Sequence, residues 1–483
     1  MSQLLNLLAQ KQTIIAGEWR SANDGRLSDI NNPATGDIIG SVPFCSSAET
    51  EQAVEMAHST HLKWKQTLAK DRSQILRRWY ELVLSNIDEL AQILTLEQGK
   101  PLAEAKGEIQ YAASFIEWYA EEAKRTYGEI VPSHKSDARI LVSHQAIGVV
   151  GAITPWNFPA AMITRKCAPA FAAGCAVVLK PAPDTPFTAL AFAKLAQQAG
   201  IPDGLFSVIT GDAVAIGGVL TSHKLVKKIS FTGSTPVGKL LMQQASNTVK
   251  KVSLELGGNA PFIVFDDADL DKAIEGYMIA KYRNAGQTCV CANRLYIQRG
   301  IYDLFLSKLE AKVEQLKMGN GLDAGVTIGP LINRAAAEKV ERHIQDAISK
   351  GASLVTGSLQ SSGNCFVTPA IIRDLHDDML VAQEETFGPL ASAFVFDSEE
   401  EVIARANNTD SGLAAYVYTQ SLSRAFTMSE ALEYGMVGVN EGLISTEVAP
   451  FGGIKESGLG REGARQGIDE YMEVKYTLMG GIE

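Results

Sequence analysis

The sequence predicts an α/β protein with two parallel-sheet domains and a small β arm. Between residues 146 and 256, short apolar runs alternate with segments of helix length, which is typical of βαβ units with right-handed crossovers. The same alternation resumes between residues 257 and 445. A chain of 483 residues is also too long for one simple core, so two or three domains are expected.

The first 125 residues predict a short β segment followed by covering helices. Residues 13–19 are strand-like around a turn. From residue 47 onward, apolar side chains such as Ile75, Trp79 and Leu82 recur at spacings of three and four. The sequence at 97–101 interrupts this pattern, which then resumes to about residue 125. Nothing in these helices indicates chemistry.

A polar and β-branched segment at residues 126–145 predicts an arm, and five buried strands follow it. Helices are expected to begin at Pro159 and at Pro186, because proline suits the first helical turn. Gly174 and Gly200 should end them. The five strands are predicted at residues 147–153, 175–180, 206–209, 226–231 and 251–256.

The second half predicts a second α/β domain. Its helices are expected at residues 270–284, 302–316 and 335–350, and its strands at residues 261–265, 294–297, 352–356 and 370–372. The segment 471–477 alternates like a strand, and a strand at a chain end often pairs with a partner's edge.

The composition is that of an ordinary globular protein, with 46% hydrophobic and 20% charged residues. The formal net charge of −11 argues against nucleic acid or an anionic membrane as the main partner. We expect a cytoplasmic protein, because the sequence shows neither a signal-peptide core nor a membrane-spanning apolar run. The six scattered cysteines and the lack of CxxC pairs favour a reducing compartment and no protein-bound metal.

Two glycine-rich segments are candidate phosphate sites. Residues 458–463 match GxGxxG, but no apolar strand precedes them, so their context is wrong for a dinucleotide loop. Residues 233–239 resemble a P-loop, but Leu240 replaces the Ser or Thr that would bind magnesium. This second segment nevertheless joins a strand to a helix start, so Gly233 and Ser234 are predicted to bind a dinucleotide pyrophosphate. The alternative is a plain strand–turn–helix.

The end of the second strand bears on the choice between NAD and NADP. An acid there holds the ribose hydroxyls of NAD, whereas a basic neighbour admits the 2′-phosphate of NADP. The strand at 175–180 ends in Lys180, which favours NADP or tolerance of both cofactors. Asp184, a few residues later, leaves NAD open.

Three residues are candidates for a thiol-based catalytic site. Cys289 lies in a loop of small and polar residues, where a substrate carbon could approach a thiol. Glu255 ends a buried strand, so burial should raise its pKa toward that of a general base. Asn157 follows an apolar strand at a turn, where its amide could donate to an oxyanion. Taken alone, Cys289 is as compatible with a buried structural thiol, and a structural role is favoured for Glu255 and for Asn157. A thiol, a base and a donor together form a coherent site.

Seven segments, in order and over essentially the whole chain, resemble the aldehyde dehydrogenase superfamily. None is specific alone, but the ordered set is. They are Pro155–Pro159, Lys180–Ala182, Phe231–Thr235, Glu255–Asn259, Gly286–Cys289, Glu385–Pro389 and Pro450–Gly453. The resemblance implies that superfamily's fold, with two Rossmann-type domains and a β arm for oligomerisation. The implied parts are a dinucleotide-binding domain (1–125 and 146–256), a catalytic domain (257–445), and an oligomerisation arm and tail (126–145 and 446–483).

The resemblance also implies roles for individual residues. Cys289 would be the nucleophile, Glu255 the base that activates the deacylating water, and Asn157 an oxyanion donor. The implied cofactor-binding residues are Thr154, Pro155, Trp156, Lys180, Pro183, Gly233, Ser234, Leu256, Glu385 and Phe387. Of these, Lys180 and Glu385 would hold the riboses and Phe387 would pack by the nicotinamide. Pro183 stands where many NAD-preferring relatives carry an acid, which further favours NADP. A dimer or tetramer is implied.

Residues 163–166, 282–284, 289–291 and 440–445 resemble the succinate-semialdehyde branch of the superfamily. In that branch, two arginines and a serine hold the distal carboxylate of the substrate, which implies these roles for Arg165, Arg283 and Ser445. Arginine suits this task because it binds carboxylates with bidentate geometry. Ordinary surface ion pairing is the alternative for both arginines. Glutarate semialdehyde stays open as a substrate, since one methylene is worth only about 1–3 kcal/mol of discrimination.

Two other functions and one regulatory role are compatible with parts of this pattern. The intact Cys289, Glu255 and Asn157 argue against a nucleotide-binding structural protein without catalysis. A CoA-acylating dehydrogenase would not need a water-activating Glu255. Cys291 is predicted to be a redox partner of Cys289, because so short a loop would make a strained and easily reduced disulfide. The alternative is that Cys291 simply packs.

Overall fold

The computed structural model describes residues 4–358 and 364–482. Its helices are α1 (Leu7–Gln10), α2 (Ser47–Trp64), α3 (Ala69–Ser85), α4 (Ile87–Gln98), α5 (Leu102–Glu122), α6 (Pro159–Ala173), α7 (Pro186–Ala199), α8 (Ala213–Ser222), α9 (Thr235–Ser246), α10 (Leu270–Tyr282), α11 (Tyr302–Val313), α12 (Arg334–Ser349), α13 (Leu380–Gln383), α14 (Glu399–Asn407), α15 (Leu422–Ala431) and α16 (Gln466–Asp469). Its strands are β1 (Thr13–Ile15), β2 (Glu18–Arg20), β3 (Leu27–Asn31), β4 (Ile38–Pro43), β5 (Glu129–Val131), β6 (Arg139–Ala146), β7 (Val149–Ile153), β8 (Ala176–Lys180), β9 (Phe206–Val208), β10 (Val226–Thr232), β11 (Lys251–Glu255), β12 (Ala260–Val264), β13 (Ala292–Gln298), β14 (Ser353–Thr356), β15 (Ala370–Arg373), β16 (Leu390–Phe396), β17 (Ser411–Gly412), β18 (Ala414–Tyr418), β19 (Met436–Val439), β20 (Ile454–Lys455), β21 (Gly458–Leu459) and β22 (Met472–Met479).

A six-stranded sheet in the order β21-β11-β10-β7-β8-β9 forms the centre of the first domain. The five predicted strands, β7 to β11, run parallel, which confirms the predicted crossovers. The predicted helix boundaries are also found. Pro159 and Pro186 open α6 and α7, and Gly174 and Gly200 follow these helices in the left-handed conformation, with φ of 98° and 100°.

A seven-stranded sheet in the order β14-β15-β16-β13-β12-β18-β19 forms the centre of the second domain. Its strands pair in parallel except for β14, which is antiparallel to β15. The strands β16, β18 and β19 were not predicted. The helix predicted over 270–284 ends at Tyr282, because Asn284 and Ala285 adopt left-handed φ angles of 52° and 54°.

The buried apolar residues form two clusters that meet where the active-site residues lie. One runs from Leu4 to Leu256, joined by Ile468, Tyr471 and Met472, and the other runs from Ala260 to Phe451. The chain therefore leaves the first core directly after β11, which ends in Glu255. The predicted domain division stays a prediction, although this change of core coincides with its boundary at residue 257.

The predicted arm and the C-terminal strand lie in one antiparallel sheet, in the order β22-β6-β5. Met472 to Met479 pair with Ala146 to Arg139 of the same chain, so one edge of β22 is already occupied. The segment before β22 returns to the first domain, where β21 pairs with Leu254 and Glu255 of β11. Within the described residues, no helix is both long and apolar enough to cross a membrane.

Candidate active site

A cavity of about 430 Å³ lies between the two domains and is lined by residues from both. The first domain contributes residues that follow the carboxyl ends of β7, β10 and β11. The second contributes the segments that lead into β13 and β16. The predicted site residues on its wall are Pro155, Trp156, Asn157, Gly233, Ser234, Leu256, Cys289, Glu385 and Phe387. Larger clefts of about 500 and 560 Å³ contain none of the predicted residues.

The loop that carries Cys289 is held in an unusual backbone shape. Gly286, with φ of 76°, must be glycine, because a Cβ there would lie 2.3 Å from the carbonyl oxygen of Gly388. The Gln287 side chain anchors the loop, since its Oε1 accepts a hydrogen bond from the backbone N–H of Ile332 at 2.9 Å. These contacts place Cys289 at the cavity with little freedom of its backbone.

The Cys289 thiol is half-buried and protonated at neutral pH. Burial raises its pKa to about 12, and the positive charge of Arg165 opposes this rise. The nearby carboxyls of Glu385 and Glu255 add to it. Attack by this thiol therefore requires the loss of its proton.

Glu255 lies at the end of β11 with 3% of its surface exposed. Among the described residues, no group donates a hydrogen bond to its Oε2. Its Oε1 faces Gly452, where a Cβ would approach to 2.9 Å. Burial raises the pKa of Glu255 well above its usual range, and the like charge of Glu462 adds to this effect. A buried carboxyl with a raised pKa and an unpartnered oxygen is suited to accept a proton.

Arg165, Lys166 and Glu462 form a buried charge cluster beside Glu255. Arg165 pairs with Glu462 at 2.8 Å, and Lys166 contacts both Glu462 and the Thr232 hydroxyl. Although burial opposes it, the charges of Lys166 and Arg165 keep the pKa of Glu462 below its usual range. Arg165 is 1% exposed, so the alternative of a surface ion pair is wrong for this residue. Its Nη2 has no hydrogen-bond partner among the described residues.

The Asn157 side chain points toward the nucleophile loop. Its Nδ2 donates to the carbonyl oxygen of Gln287 at 3.1 Å, and its Oδ1 accepts from the backbone N–H of Phe158 at 3.1 Å. An amide nitrogen carries two hydrogens, so one N–H remains for a ligand in the cavity. Asn157 thus has the chemistry of an oxyanion donor, and its amide is bound to Gln287, two residues before Cys289.

The opposite part of the cavity has the features of a nucleotide site. Gly233 and Ser234 immediately precede α9, so the free amides of the first turn and the positive end of the helix dipole lie there. Burial raises the pKa of Glu385 to about 7, while a hydrogen bond from the Gly258 N–H opposes this rise. The Phe387 ring meets Trp156 edge-on, with centroids 5.6 Å apart. This combination of anion site, carboxyl and aromatic wall fits a dinucleotide.

Thr154, Lys180 and Pro183 do not line this cavity. The backbone N–H of Thr154 donates to the carbonyl oxygen of Lys180 at 3.2 Å, which joins the ends of β7 and β8. Lys180 is 5% exposed, and burial lowers its pKa to about 8. Pro183 lines a separate cleft of about 390 Å³ together with Asp184.

The remaining predicted residues are not on the wall of this cavity. The Arg283 guanidinium is half-buried and lies 5.1 Å from the centroid of the Phe158 ring. Ser445 is half-buried in the coil after β19. Cys291 is 3% exposed, and the Lys281 Nζ donates to its Sγ at 3.4 Å. No group of three or more potential metal ligands occurs in the part of the chain that the structure describes.

The sequence reasoning missed several charged residues at the site. Glu462 belongs to the segment 458–463, for which the GxGxxG pattern suggests only a dinucleotide loop. The structure shows that Glu462 is the ion-pair partner of Arg165. The segment between the covering helices α4 and α5 also contributes a contact to the site. Lys100 donates to the carbonyl oxygen of Asn157 at 2.8 Å, although 57 residues separate them. The only local signal was the interruption of the helical pattern at 97–101.

Comparison with known proteins agrees with this geometry. Residues 19–477 match the model of the aldehyde dehydrogenase family. A protein named succinate semialdehyde dehydrogenase from Acinetobacter baylyi is 60% identical over 476 residues, which cover 98% of this chain and 99% of that protein. A glutarate-semialdehyde dehydrogenase from Pseudomonas aeruginosa is 59% identical with the same coverage. A crystal structure described as an E. coli NADP-dependent enzyme is 58% identical, with a TM-score of 0.97, and the match covers 98% of this chain and 99% of that one. This chain belongs to the aldehyde dehydrogenase family.

Proposed function

We propose that this chain oxidises succinate semialdehyde to succinate, with NADP as the preferred cofactor and NAD as the alternative. The observation that carries the proposal is Arg283, six residues before Cys289. Unlike Arg165, which pairs with Glu462, Arg283 has no ion-pair partner among the described residues. A half-buried arginine without a carboxylate is suited to bind the distal carboxylate of a substrate. The names of the Acinetobacter and E. coli relatives support both the substrate and the cofactor.

In the first step, the Cys289 thiolate adds to the aldehyde carbon and forms a thiohemiacetal. The developing oxyanion accepts hydrogen bonds from the Asn157 side chain and from the backbone N–H of Cys289. Asn157 keeps one N–H on the Gln287 carbonyl, so its second N–H is directed by the protein rather than by water. Because this donor is already oriented, it stabilises the negative charge of the oxyanion.

The cofactor is held by residues of both domains. Gly233 and Ser234, at the start of α9, would hold the pyrophosphate, Glu385 would hold a ribose, and Phe387 would pack by the nicotinamide. The nicotinamide would supply a hydride acceptor, and loss of a hydride from the carbon attached to Cys289 leaves a thioester on the sulfur. Lys180 and Pro183 are proposed to lie toward the adenine ribose, outside the cavity that contains Cys289.

In the last step, Glu255 takes a proton from a water molecule that attacks the thioester, and succinate leaves. The raised pKa of Glu255 makes it a stronger base than an ordinary carboxylate. Glu462, held by Arg165 and Lys166, keeps a negative charge next to this base. Hydrolysis rather than thiolysis follows from the presence of this base, so we assign no role to CoA.

Replacement of Arg283 by methionine tests the substrate class. We expect kcat/KM for succinate semialdehyde to fall by about 10- to 100-fold, the equivalent of a lost charge-assisted pair of hydrogen bonds. The value for butanal, which has no distal carboxylate, should change by less than about threefold by the same reasoning. Arg299→Met, which removes an exposed arginine paired with Asp397, is the matched control. An equal loss with both aldehydes would show that Arg283 does not bind the carboxylate.

Glutarate semialdehyde is the second candidate substrate. The name of the Pseudomonas aeruginosa relative supports this substrate. It is also only one methylene longer than succinate semialdehyde, and a binding site discriminates weakly against one methylene. The ratio of kcat/KM for the two semialdehydes decides between them. We expect succinate semialdehyde to be preferred, and a higher value for glutarate semialdehyde would reverse the assignment.

The pH dependence of cofactor binding tests the proposed role of Lys180. Its ammonium, which would bind the 2′-phosphate of NADP, has its pKa lowered to about 8 by burial. It is therefore charged below that pH and neutral above it. We expect KM for NADP to rise by up to about tenfold per pH unit above pH 8, while KM for NAD stays nearly constant. Lys180→Met should remove this difference, and parallel profiles in the wild-type protein would contradict the role.

Four further features belong to this proposal. A homo-oligomer, either a dimer or a tetramer, is proposed through the arm and the C-terminal strand, where Ile130 and Val474 are 80% and 66% exposed. The disulfide between Cys289 and Cys291 stays a prediction, as does a cytoplasmic location. The role of Ser445 in binding the substrate carboxylate is also proposed from the resemblance alone.

A further inference from the structure

Lys100 and Glu108 form an ion pair that is almost completely buried against the active site. Their side chains are each 1% exposed, and the Lys100 Nζ lies 2.5 Å from Glu108 Oε2. The same Nζ donates to the carbonyl oxygen of Asn157 at 2.8 Å and lies 4.0 Å from the centroid of the Phe158 ring. Each direction around the ammonium thus has a partner, which offsets the cost of burying its charge.

The second oxygen of Glu108 fixes the other end of the same turn. Its Oε1 accepts hydrogen bonds from the backbone N–H groups of Ala160 and Ala161, at 2.9 and 3.4 Å. These are free amides of the first turn of α6, where a carboxylate is favoured by the helix dipole. Lys100 and Glu108 therefore hold the turn from Asn157 to Ala161 at both ends.

Glu104, one turn before Glu108 on α5, holds the nucleophile loop. Its Oε2 accepts the backbone N–H of Asn284 at 2.7 Å. Asn284 and Ala285 are both in the left-handed conformation, which is uncommon for residues with a Cβ and needs support from neighbours. The Asn284 side chain donates to the carbonyl oxygens of Asn157 and Gln287, at 2.9 and 3.2 Å.

The carbonyl oxygens of Asn157 and Gln287 therefore connect the two parts of the site. The first accepts from Lys100 and Asn284, and the second accepts from the side chains of Asn157 and Asn284. The orientation of the Asn157 amide is set by its bond to Gln287. The position of Gln287 in turn depends on the loop that Glu104 supports.

We propose that Lys100, Glu104 and Glu108, here called the α5 cluster, position the Asn157 amide against Cys289 for the acylation step. This inference rests on the proposed function, because it assumes that Asn157 donates to the oxyanion. The three residues touch neither substrate nor cofactor and are positioning residues. Their effect should appear in kcat and in the rate of the first turnover, and not in the binding of NADP.

The test replaces Lys100 and Glu108 together, as Lys100→Met with Glu108→Gln, so that no buried charge is left unpaired. We expect kcat and the rate of the first hydride transfer to fall by about 10- to 100-fold, part of the loss seen when an oxyanion donor is removed. KM for NADP should stay within about twofold, since the α5 cluster does not face the nucleotide site. Arg77→Met with Glu117→Gln removes a more exposed pair that joins α3 to α5, and this variant should leave kcat unchanged.

The same double replacement in an Asn157→Ala background separates positioning from general support of the fold. If the α5 cluster acts through the Asn157 amide, the double replacement should lower kcat by less than about twofold in that background, because the effects of coupled residues are not additive. If the double replacement lowered kcat as much in the Asn157→Ala background as in the wild-type protein, the inference would be overturned. An Asn157→Ala variant with normal kcat would instead overturn the proposed oxyanion role, which keeps the two failures distinguishable.

A second pair of variants decides the question if the double replacement does not fold. Glu104→Gln keeps an oxygen acceptor for the Asn284 N–H, whereas Glu104→Met removes it. We expect the methionine variant to lose about tenfold in kcat and the glutamine variant to retain most of it, because only the former leaves a backbone donor unpaired. Equal kcat values for the two variants would overturn the inference.

Discussion

Replacement of Cys289 by serine is expected to lower kcat for succinate semialdehyde by at least about 10³-fold, equivalent to about 4 kcal/mol of activation free energy. A serine hydroxyl ionises far less readily than a thiol, and an ester is a poorer intermediate than a thioester. The change only replaces the sulfur atom by oxygen, so the cavity wall and the nucleotide site should be preserved. NADPH absorbance measures the loss, and binding of NADP in the absence of aldehyde measures the preservation.

Cys365→Ser is the matched control for this replacement. Cys365 is also half-buried, but it lies at the cleft that contains Pro183 and not at the cavity that contains Cys289. We expect this variant to keep its kcat. If Cys289→Ser retained more than roughly a tenth of the wild-type rate, a value far above that of a lost nucleophile, the assignment of Cys289 would be wrong.

The environment of Cys289 also predicts when the thiol is reactive. Burial raises its pKa to about 12, so almost all of the resting enzyme carries a neutral thiol at pH 7. Arg165 lowers this pKa, but it is shared with Glu462, which limits the effect. The thiol must therefore lose its proton before it attacks, and attack should slow as the pH falls.

Local signals in the sequence predicted the first sheet well. The prolines at 159 and 186 and the glycines at 174 and 200 each act within one helical turn, so no knowledge of the fold is needed to place them. The second sheet was predicted less completely. Its strands β16 and β18 are buried apolar runs, and such runs do not distinguish a central strand from a buried helix.

Some residues of the site could be predicted from local sequence signals and others could not. Cys289, Glu255 and Asn157 stand beside glycines or at strand ends, where the pattern marks a special backbone. Glu462 and Lys100 also stand beside glycines, Gly463 and Gly99, but the sequence does not show their partners, Arg165 and Asn157, which lie 297 and 57 positions away. Lys100 lies in the short segment between α4 and α5, and only the folded chain shows that it is buried against the site.

Replacement of Glu255 by glutamine is expected to allow one turnover and then stop. The amide has nearly the shape of the carboxyl, so the buried site should keep its packing, but the amide cannot take a proton from water. We expect a burst of about one NADPH per active site, followed by a steady state slower by about 10²- to 10⁴-fold. Mass spectrometry of the quenched enzyme should find a succinyl group on the peptide that contains Cys289.

The matched control for Glu255→Gln is Glu97→Gln. Glu97 is another buried glutamate whose pKa is raised by burial, to about 8, and it accepts the backbone N–H groups of Phe187 and Thr188 at the start of α7. A glutamine there keeps one of the two acceptor oxygens, and Glu97 does not line the cavity that contains Cys289. We expect this variant to show normal steady-state turnover with no accumulation of acyl-enzyme.

The same substitution should make the protein more stable at neutral pH. Because the pKa of Glu255 is raised in the folded state, the folded protein holds this proton more tightly than the unfolded chain. Its contribution to stability is therefore lost as the pH rises from the ordinary glutamate range through the raised pKa. Glutamine has no proton to lose, so the melting temperature of Glu255→Gln should exceed that of the wild type at pH 7 and approach it near pH 4.

Stability and activity thus make opposite demands on Glu255. One oxygen of Glu255 has no hydrogen-bond partner among the described residues, and its burial beside Glu462 disfavours the ionised carboxylate that deacylation needs. A higher melting temperature together with a single burst would support this account of Glu255 as the deacylating base. If the burst itself were lost, Glu255 would be assigned as the base that deprotonates the Cys289 thiol and not the water. An unchanged steady-state rate would show that Glu255 has no role in the mechanism.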